Sequence, residues 1–492
     1  MLIGWDAGSS CRPGRVRAAV PRTGAGIPMR LRRAARRLAG RVVMAVAAAS
    51  CAGVVAGLGS AAPAAGSVSA VDGPAAVPGA QLWASSGPAG DPGATSVAAS
   101  PAGGTVFVTG LSPGSGDLDY ATVAYDAATG AQLWVSRYVN INGLGGRPPG
   151  ASVAVSPDGG TVVIAGGIFS NASGWGYLTV AYDAATGAQR WARQYYGRSS
   201  GTDQAAAIAV SPDGRTVLVT GKSWGGRSAY DYATVGYDAA TGAQRWVSRY
   251  NAPGNGKDVA RALAVSPDGR TVYVTGKSTG RTSNLDYATV GYNTATGAQR
   301  WVSRYNDPGN GSDDARSVAA GPGGHAIYVT GTTATVSYNA ATGAQRWVRP
   351  TGPGHGISRT AYAVAASPDG RAVYVTGDGF NSGYNTVAYD AATGARLWAR
   401  TYGGQPPGFA EVGLSVAADP GGHAVYVTGL TIGGYATVAY DAATGAQLWA
   451  AQSSNGGEAA SLAVGPAGDV YVTGWSEPLP ATFDYYTVAY QG

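Results

Sequence analysis

From residue 79 onward, hydrophobic and polar side chains alternate in short runs. Thr271–Thr275 (Thr-Val-Tyr-Val-Thr) is one such run, and Gln299–Tyr305 is another. A period of two is typical of β-strands, because successive side chains point to opposite faces. Gly, Pro, Asn and Asp separate the runs, as in the turn Ser266–Gly269. The pattern predicts strands joined by tight turns, and the 3.6-residue period of helical repeats is absent.

One segment, Ala124–Trp134, returns along the chain with few changes. Each copy belongs to a unit with four predicted strands: an Ala-rich strand, a strand that ends on Gly, a Tyr-rich strand and a strand that carries Trp. The Trp recurs at nearly even spacing, at Trp83, Trp134, Trp191, Trp246, Trp301, Trp347, Trp398 and Trp449. Repeat units with four antiparallel strands and this regular spacing indicate the blades of a β-propeller. We predict an all-β fold, an eight-bladed β-propeller.

The strand count also predicts how the propeller closes. Eight copies of the second strand end on Gly, the first at Gly110 and the last at Gly474, but the final copy stops at Gly492, one strand short. The missing strand is present near the other end, at Gly79–Ser85. We therefore predict that the N-terminal strand completes the C-terminal blade and that the propeller occupies residues 79–492. Pairing of this kind leaves no open sheet edge.

The N-terminal region, positions 1–64, has the features of a secretory signal peptide. Met29–Arg41 is basic, Val42–Gly59 is apolar, and Ala62–Ala64 (Ala-Pro-Ala) is a candidate cleavage site. Translation starting at Met29 fits this pattern, and residues 65–78 form an Ala-, Gly-, Pro- and Ser-rich linker. The prediction is a secreted or extracellular protein. The alternative is anchoring at the outer face of the cell membrane, through a retained leader or a lipid on Cys51.

The net charge of +6 belongs to this leader. Residues 1–64 hold ten of the 34 basic residues and one of the 28 acidic ones, so the remainder has a net charge of −3. We therefore predict no nucleic-acid partner. Both cysteines, Cys11 and Cys51, also lie in the leader. The rest of the chain has no means of forming a disulfide or a thiolate metal site.

The pattern Ala-x-Asp-x-x-Thr-Gly-x-x-x-Trp resembles the tryptophan-docking repeat of pyrroloquinoline-quinone-type propellers. The Tyr-Val-Thr-Gly strands are similar to the β-propeller repeats of exported bacterial proteins. The resemblance covers nearly all of residues 79–492 and implies that each repeat Trp packs between neighbouring blades. The quinone-dependent dehydrogenases of that family also carry an adjacent cysteine pair and a calcium site, and this sequence matches neither. The expectation is a propeller with no cofactor, no metal and no catalytic residues. An enzyme at the channel mouth, either quinone-dependent dehydrogenase-like or a carbohydrate lyase or hydrolase, is the alternative.

The variable connections between strands are the candidate functional regions. Connections from the second to the third strand, and from the fourth strand to the next blade, differ in every copy, whereas the other turns are nearly identical. Binding residues on a rigid scaffold commonly lie in such loops. We predict that three tryptophans outside the repeat, Trp175, Trp224 and Trp475, lie in second-to-third-strand loops. They either stack on a sugar ring or peptide, or pack their own loops.

Acidic residues precede several of the inner strands. We predict Asp258, Asp313 and Glu411 as polar ligand contacts near the axis, with loop solvation as the alternative. Together with the tryptophans they suggest a binding or scaffold module for a glycan or a protein. By contrast, Asp126 and its repeat equivalents are predicted to stabilise turns rather than bind metal, because Asn293 and Asn339 replace them in two copies. Arginines on the outermost strands either protect those edges or form a belt for polyanions.

Overall fold

The computed structural model describes residues 77–87, 93–113, 118–139, 151–197, 201–226, 229–280, 284–379, 383–403, 411–431, 434–453, 457–476 and 484–492. These residues belong to one compact unit. They form thirty-two strands, and none of them is in an α-helix. No helix among them is long and apolar enough to cross a membrane. The leader and nearly all of the linker lie outside these ranges, so the signal peptide and its cleavage site stay predictions.

The first four blades follow one another along the chain, each as a four-stranded antiparallel sheet. Blade 1 contains β2 (Gly93–Ala99), β3 (Thr105–Pro113), β4 (Leu118–Asp126) and β5 (Gln132–Tyr138). Blade 2 contains β6 (Ser152–Val155), β7 (Thr161–Ser170), β8 (Gly174–Asp183) and β9 (Gln189–Tyr195). Blade 3 contains β10 (Gln204–Val210), β11 (Thr216–Gly226), β12 (Ala229–Asp238) and β13 (Gln244–Tyr250). Blade 4 contains β14 (Asp258–Val265), β15 (Thr271–Thr279), β16 (Leu285–Asn293) and β17 (Gln299–Tyr305).

The remaining blades have the same strand order, and the last one combines both ends of the chain. Blade 5 contains β18 (Ala315–Ala320), β19 (Ala326–Gly331), β20 (Ala334–Asn339) and β21 (Gln345–Pro350). Blade 6 contains β22 (Ala361–Ala366), β23 (Ala372–Asp378), β24 (Tyr384–Asp390) and β25 (Arg396–Tyr402). Blade 7 contains β26 (Val412–Ala418), β27 (Ala424–Thr431), β28 (Gly434–Asp441) and β29 (Gln447–Gln452). Blade 8 contains β30 (Glu458–Val464), β31 (Val470–Ser476), β32 (Asp484–Tyr490) and β1 (Gln81–Ser86).

The N-terminal strand completes the C-terminal blade as predicted, because β1 pairs antiparallel with β32. The first strands of successive blades contact one another from β2 to β30, and β30 in turn contacts β2. The Ala-rich first strands therefore line the centre, where small side chains allow close packing. One departure from eight separate sheets occurs between blades 6 and 7, which are joined by a single bridge between Asp378 and Val412.

The repeat tryptophans dock each blade onto the next one, as the resemblance implied. Their side chains are only 5–9% exposed. Seven of the eight indole N–H groups donate to a main-chain carbonyl of the following blade, at 2.8–3.1 Å. The eighth indole, that of Trp449, packs between Tyr426 and Tyr490. Each large ring removes apolar surface from water, and seven of the rings also satisfy their own polar group.

A second contact between blades is made by tyrosines of the third strands. The Tyr232 hydroxyl donates to the Ala288 carbonyl at 3.2 Å, and the Tyr485 hydroxyl of blade 8 donates to Ala121 of blade 1 at 3.3 Å. Burial raises the pKa of Tyr232 well above its usual value. These phenols therefore stay neutral donors at physiological pH. The tryptophan contacts, and the tyrosine contacts in the blades that have them, hold neighbouring blades together.

The turns between the third and fourth strands show what the repeat aspartates do. The Asp126 carboxylate accepts hydrogen bonds from the Thr129 main-chain N–H at 2.8 Å and from the Thr129 hydroxyl at 2.7 Å. Asn293 accepts main-chain bonds in the same way at 3.0 Å. An amide oxygen serves this turn as well as a carboxylate, which confirms the interpretation as turn residues.

Candidate functional site

The variable-loop face is the end of the blades that holds the connections from second to third strands and from fourth strands to the next blade. In blades 2, 3 and 4 the second and third strands extend into this face as long hairpins. They end at Ser170, Gly226 and Thr279 on their second strands. In blade 5 only Thr332 and Thr333 separate β19 from β20. The face is therefore uneven, with tall hairpins on blades 2 to 4 and a short one on blade 5.

Trp175 and Trp224 lie on these hairpins, within strands rather than in the loops that the sequence suggested. Trp175 pairs across the hairpin with Phe169, with ring centroids 5.6 Å apart. Trp224 pairs with Tyr230 at 5.4 Å and an interplanar angle of 78°. The loop prediction was wrong in this respect, because the alternating pattern continues past the repeat Gly and extends the ladder. Both indoles are half-buried.

Trp475 lies on the second strand of blade 8, near the end of β31, and is also half-buried. It pairs with Glu458, the first residue of the innermost strand of the same blade. Burial raises the pKa of Glu458 to about 7, and a hydrogen bond with the Trp475 side chain acts in the opposite direction. Trp475 and Glu458, an acid with a pKa of about 7, thus lie side by side on the variable-loop face of blade 8.

The three predicted acids lie beneath the variable-loop face, with little or no exposed surface. Asp258 and Asp313 are fully buried and Glu411 is 5% exposed. The Asp258 carboxylate accepts hydrogen bonds from the main-chain N–H groups of Ala252 and Thr279, at 2.8 and 3.0 Å. It therefore ties the incoming loop to the hairpin of its own blade. Burial raises its pKa above the usual value in spite of these bonds.

The same arrangement recurs in the neighbouring blades. The Asp203 carboxylate accepts from the main-chain N–H groups of Gly197 and Trp224, and Asp313 accepts from Asp307 at 2.7 Å. Each acid thus receives a bond from the residue six positions earlier, at the end of the preceding blade. A Cβ atom at Gly403 would overlap the Glu411 carboxylate, so Glu411 also packs against the loop that leaves blade 6.

Sequence reasoning missed this supporting role, although a signal was present. Asp203, Asp258 and Asp313 follow one another at equal spacing, one in each of three successive repeats. A position that repeats in this way serves the fold of the blades that carry it, whereas Trp175, Trp224 and Trp475 do not follow the repeat. The structure brings each tryptophan onto the variable-loop face. Contact of Asp258, Asp313 and Glu411 with a ligand stays a prediction.

Most arginines of the outer strands contact the protein itself. Arg193 donates to the carbonyls of Thr241 and Gly242 in the next blade, at 2.8 and 2.9 Å. Others pair with acids of their own blade, as Arg304 does with Asp286 at 2.7 Å. These contacts favour an edge-protecting role over a belt for polyanions.

The residues do not fit the cysteine pair and calcium site of quinone-dependent dehydrogenases. Residues 65–492 contain no cysteine. Within the described ranges, no group of three or more His, Cys, Asp or Glu residues is placed to hold a metal ion. Asp126 and its equivalents, the most regular acids of the chain, instead accept hydrogen bonds within their turns.

Comparison with known proteins identifies the family. The model of the family described as outer membrane protein assembly factor BamB matches residues 119–376 and 288–464, together more than half of the chain. BamB from Moraxella catarrhalis is a solved structure with 17% identity and a TM-score of 0.47, covering 78% of this chain and 96% of that one. No curated protein matches this chain significantly.

Two other solved structures share the fold at low identity. The quinohemoprotein alcohol dehydrogenase from Comamonas testosteroni has 16% identity and a TM-score of 0.57, over 83% of this chain and 76% of that one. Sqt1 from Chaetomium thermophilum has 13% identity and a TM-score of 0.57, over 84% and 98%. Similarity at this level shows the propeller fold alone. Together with the docked repeat tryptophans, the family match confirms the resemblance to pyrroloquinoline-quinone-type repeats, and the chain belongs to the family described as outer membrane protein assembly factor BamB.

Proposed function

We propose that this protein is an exported β-propeller that acts as a binding or scaffold module, with its ligand on the variable-loop face. The ligand is a carbohydrate or a protein. The observation that carries the proposal is the placement of Trp175, Trp224 and Trp475 on this one face, outside the repeat. Blades 8, 1, 2 and 3 are consecutive, so the three indoles belong to one arc of the face.

The burial of these tryptophans separates them from the docking set. The repeat tryptophans are 5–9% exposed, and seven of them donate to the next blade. Trp175, Trp224 and Trp475 are half-buried, so part of each ring is available at the surface. Rigid aromatic rings on a fixed scaffold lose little conformational entropy on binding and stack well on sugar rings or peptide groups.

The buried acids contribute to this site from below. Asp258 and Asp313 accept main-chain hydrogen bonds from the loops that enter blades 4 and 5, and Glu411 packs against the loop that leaves blade 6. We infer that they hold the loops in shape for the ligand. Asp258 and Asp313 have no exposed surface, so loop support is the role we propose for them, and direct contact with a ligand stays a prediction.

Export is the second part of the proposal. It rests on the basic and apolar segments of residues 29–59, on Ala62–Ala64, and on a family whose description names an outer-membrane assembly factor. Secreted material is expected to begin near Gly66. N-terminal sequencing of that material checks this, and a product that retains Met29 would contradict it.

Binding is tested on the mature protein with a glycan panel and with exported proteins from a matched cell fraction. Alanine substitutions at Trp175, Trp224 and Trp475 are expected to weaken binding of the identified ligand roughly tenfold each, about 1–2 kcal/mol. The melting temperature should stay close to that of the wild type.

The matched control is Leu133→Ala. Leu133 is 52% exposed on the outer strand β5, next to a short turn and away from the variable-loop face. The Leu133→Ala substitution should leave binding of the ligand unchanged. If the tryptophan variants lose melting temperature and keep their affinity, these side chains only pack their own hairpins.

A further inference from the structure

Three cationic side chains meet at a single carboxylate oxygen on the variable-loop face. The Oδ2 atom of Asp314 lies 2.7 Å from Arg261, 3.9 Å from Arg316 and 4.0 Å from Lys277. Only Arg261 is hydrogen-bonded to it, through a two-pronged contact at 2.7 and 2.8 Å. One negative charge therefore faces three positive charges. The side chains of Arg261 and Arg316 are each 14% exposed.

The backbone explains why two arginines lie so close together. Arg261 and Arg316 are the extra residues of equivalent β-bulges, where β14 and β18 shift register against β15 and β19. A bulge re-aims the side chain it carries. The matching positions of blades 3 and 8 carry Ala206 and Ala460. Blades 4 and 5 thus place a guanidinium where blades 3 and 8 have a methyl group.

Arg316 has donor capacity that the protein does not use. Its Nε–H is buried and has no acceptor among the described residues. The 3.9 Å distance to Asp314 is too long for a hydrogen bond. The guanidinium lies 5.2 Å from the ring centre of Tyr362 instead. An unsatisfied buried donor is costly unless a ligand supplies the acceptor.

The positive charge extends towards the Trp224 hairpin. The Lys222 ammonium lies 4.9 Å from the ring centre of Tyr230, the ring that Trp224 contacts. Burial lowers the pKa of Lys222, and the charges of Arg261, Lys277 and Lys257 lower it further. Burial also lowers the pKa of Lys277, with Asp314 opposing the shift and Arg261, Arg316 and Lys257 adding to it. Each lysine is thus less stable as a cation, first because it is buried and second because positive side chains lie close to it.

Nearby acids cancel only part of this charge. Asp203 and Asp378 are close to Lys222 and Arg316 respectively. Each already accepts main-chain hydrogen bonds, Asp203 from Trp224 at 2.7 Å and Asp378 from Thr360 at 2.8 Å. Six cations, at positions 222, 257, 261, 277, 316 and 359, face three carboxylates, those of Asp203, Asp314 and Asp378. An anionic ligand group would neutralise the excess.

From this cluster we propose that the site takes an acidic saccharide, whose carboxylate or phosphate binds Arg316 and Lys277 while a sugar ring stacks on Trp224. The aromatic pair of Trp224 and Tyr230 beside the cations favours a saccharide over a simple ion, because sugar rings stack on aromatic faces. A planar guanidinium matches carboxylate and phosphate geometry. This inference rests on the proposed function and specifies the ligand of the same face.

The test measures binding of oligogalacturonate, its carboxyl-reduced neutral form and inorganic phosphate to the mature protein by titration calorimetry. Oligogalacturonate should bind at least tenfold more tightly than the neutral form, with an affinity that falls as salt is added. Phosphate should compete, and its own affinity compared with that of oligogalacturonate shows which anion the site prefers. Arg316→Gln should weaken oligogalacturonate binding about tenfold. Arg316→Lys should retain part of it.

The control is Arg346→Gln, which removes the same charge from an exposed position on the outer strand of blade 5. This substitution should leave the affinities for oligogalacturonate and for its neutral form unchanged. Equal binding of the acidic and neutral forms, unaffected by Arg316→Gln, would overturn the anion site while leaving the proposed function intact. Binding of an acidic peptide in place of any saccharide would also overturn it. Unfolding curves of both variants show that a lost affinity is not a lost fold.

Discussion

Gly130 of blade 1 lies directly beneath the indole ring of Trp83 in blade 8. A Cβ atom at Gly130 would lie 2.5 Å from Cδ2 of Trp83, and Gly130 has a φ of +70°. The same relationship joins Gly187 to Trp134 in the next pair of blades. Each repeat segment therefore makes two contacts: its Gly receives the Trp of the preceding blade, and its own Trp covers the Gly of the following one. This explains why Thr-Gly and Trp recur as one unit.

Gly130→Ala is expected to lower the free energy of unfolding by about 2–4 kcal/mol. The left-handed backbone accounts for about 1–2 kcal/mol, and displacement of the Trp83 ring accounts for the rest. Gly324→Ala is the matched control, because Gly324 has the same φ of +70° and no atom within 4 Å of its Cβ position. Denaturant titrations of both variants measure the difference. Equal losses would mean that the ring contact contributes nothing.

Closure by the N-terminal strand predicts a large effect of Trp83→Ala. Trp83 is 7% exposed and donates to Ala127 of blade 1 at 2.8 Å. Its truncation should cost about 3–5 kcal/mol, whereas Leu82→Ala, at a side chain that is 40% exposed, should cost under about 0.5 kcal/mol. Thermal and denaturant unfolding provide the measurement.

Deletion of residues 79–85 extends the same test. It exposes the edge of β32, so aggregation or strand-exchanged dimers are expected in addition to the loss of stability. Light scattering detects both species. A deletion variant that is monomeric and melts like the wild type would show that β1 is dispensable for the ring.

The fold could be predicted from the sequence because its determinants are local and repeated. Alternation, Gly turns and a periodic Trp each appear eight times, so a single ambiguous copy does not mislead. Even the closure followed from counting strands, since Gly79–Ser85 had only one partner available. The packing of Trp83 between neighbouring blades was implied by the resemblance and is present, together with a hydrogen bond to Ala127.

The site was predicted less completely, because its side chains meet across blades. Trp224 was expected in a loop, but strand pairing with β12 continues through it to Gly226. Arg261 and Arg316 belong to different repeats of the sequence, and only the bulges bring both to Asp314. The bulges recur in several blades, but the alternating pattern alone does not show that they turn side chains of neighbouring blades towards one another.

Stability should fall with rising pH through the titration of Glu458. Burial raises its folded-state pKa from 4.5 to about 7, so the folded protein holds a proton that the unfolded chain releases. The contribution of the neutral acid is complete below about pH 4.5 and is lost as the pH rises to 7, by up to about 3 kcal/mol.

Glu458→Gln should remove this part of the decline, since the amide stays neutral and can still accept from the Trp475 side chain. Unfolding free energies of the wild type and the variant between pH 4 and pH 9 provide the comparison. Parallel curves for the two proteins would show that Glu458 ionises in the folded state as it does in the unfolded one.

Asp258→Ala separates loop support from direct ligand contact. The carboxylate accepts main-chain bonds from Ala252 and Thr279, so its removal should speed amide hydrogen exchange at these two positions roughly tenfold or more. Asp268→Ala is the control, because Asp268 bonds Arg270 and Ser266 in a short turn at the opposite end of blade 4. It should change exchange only within its own turn. In Asp258→Ala, the affinity for the ligand should fall together with the protection of the loop amides from hydrogen exchange. A variant with unchanged exchange and weakened binding would instead make Asp258 a direct contact of the ligand.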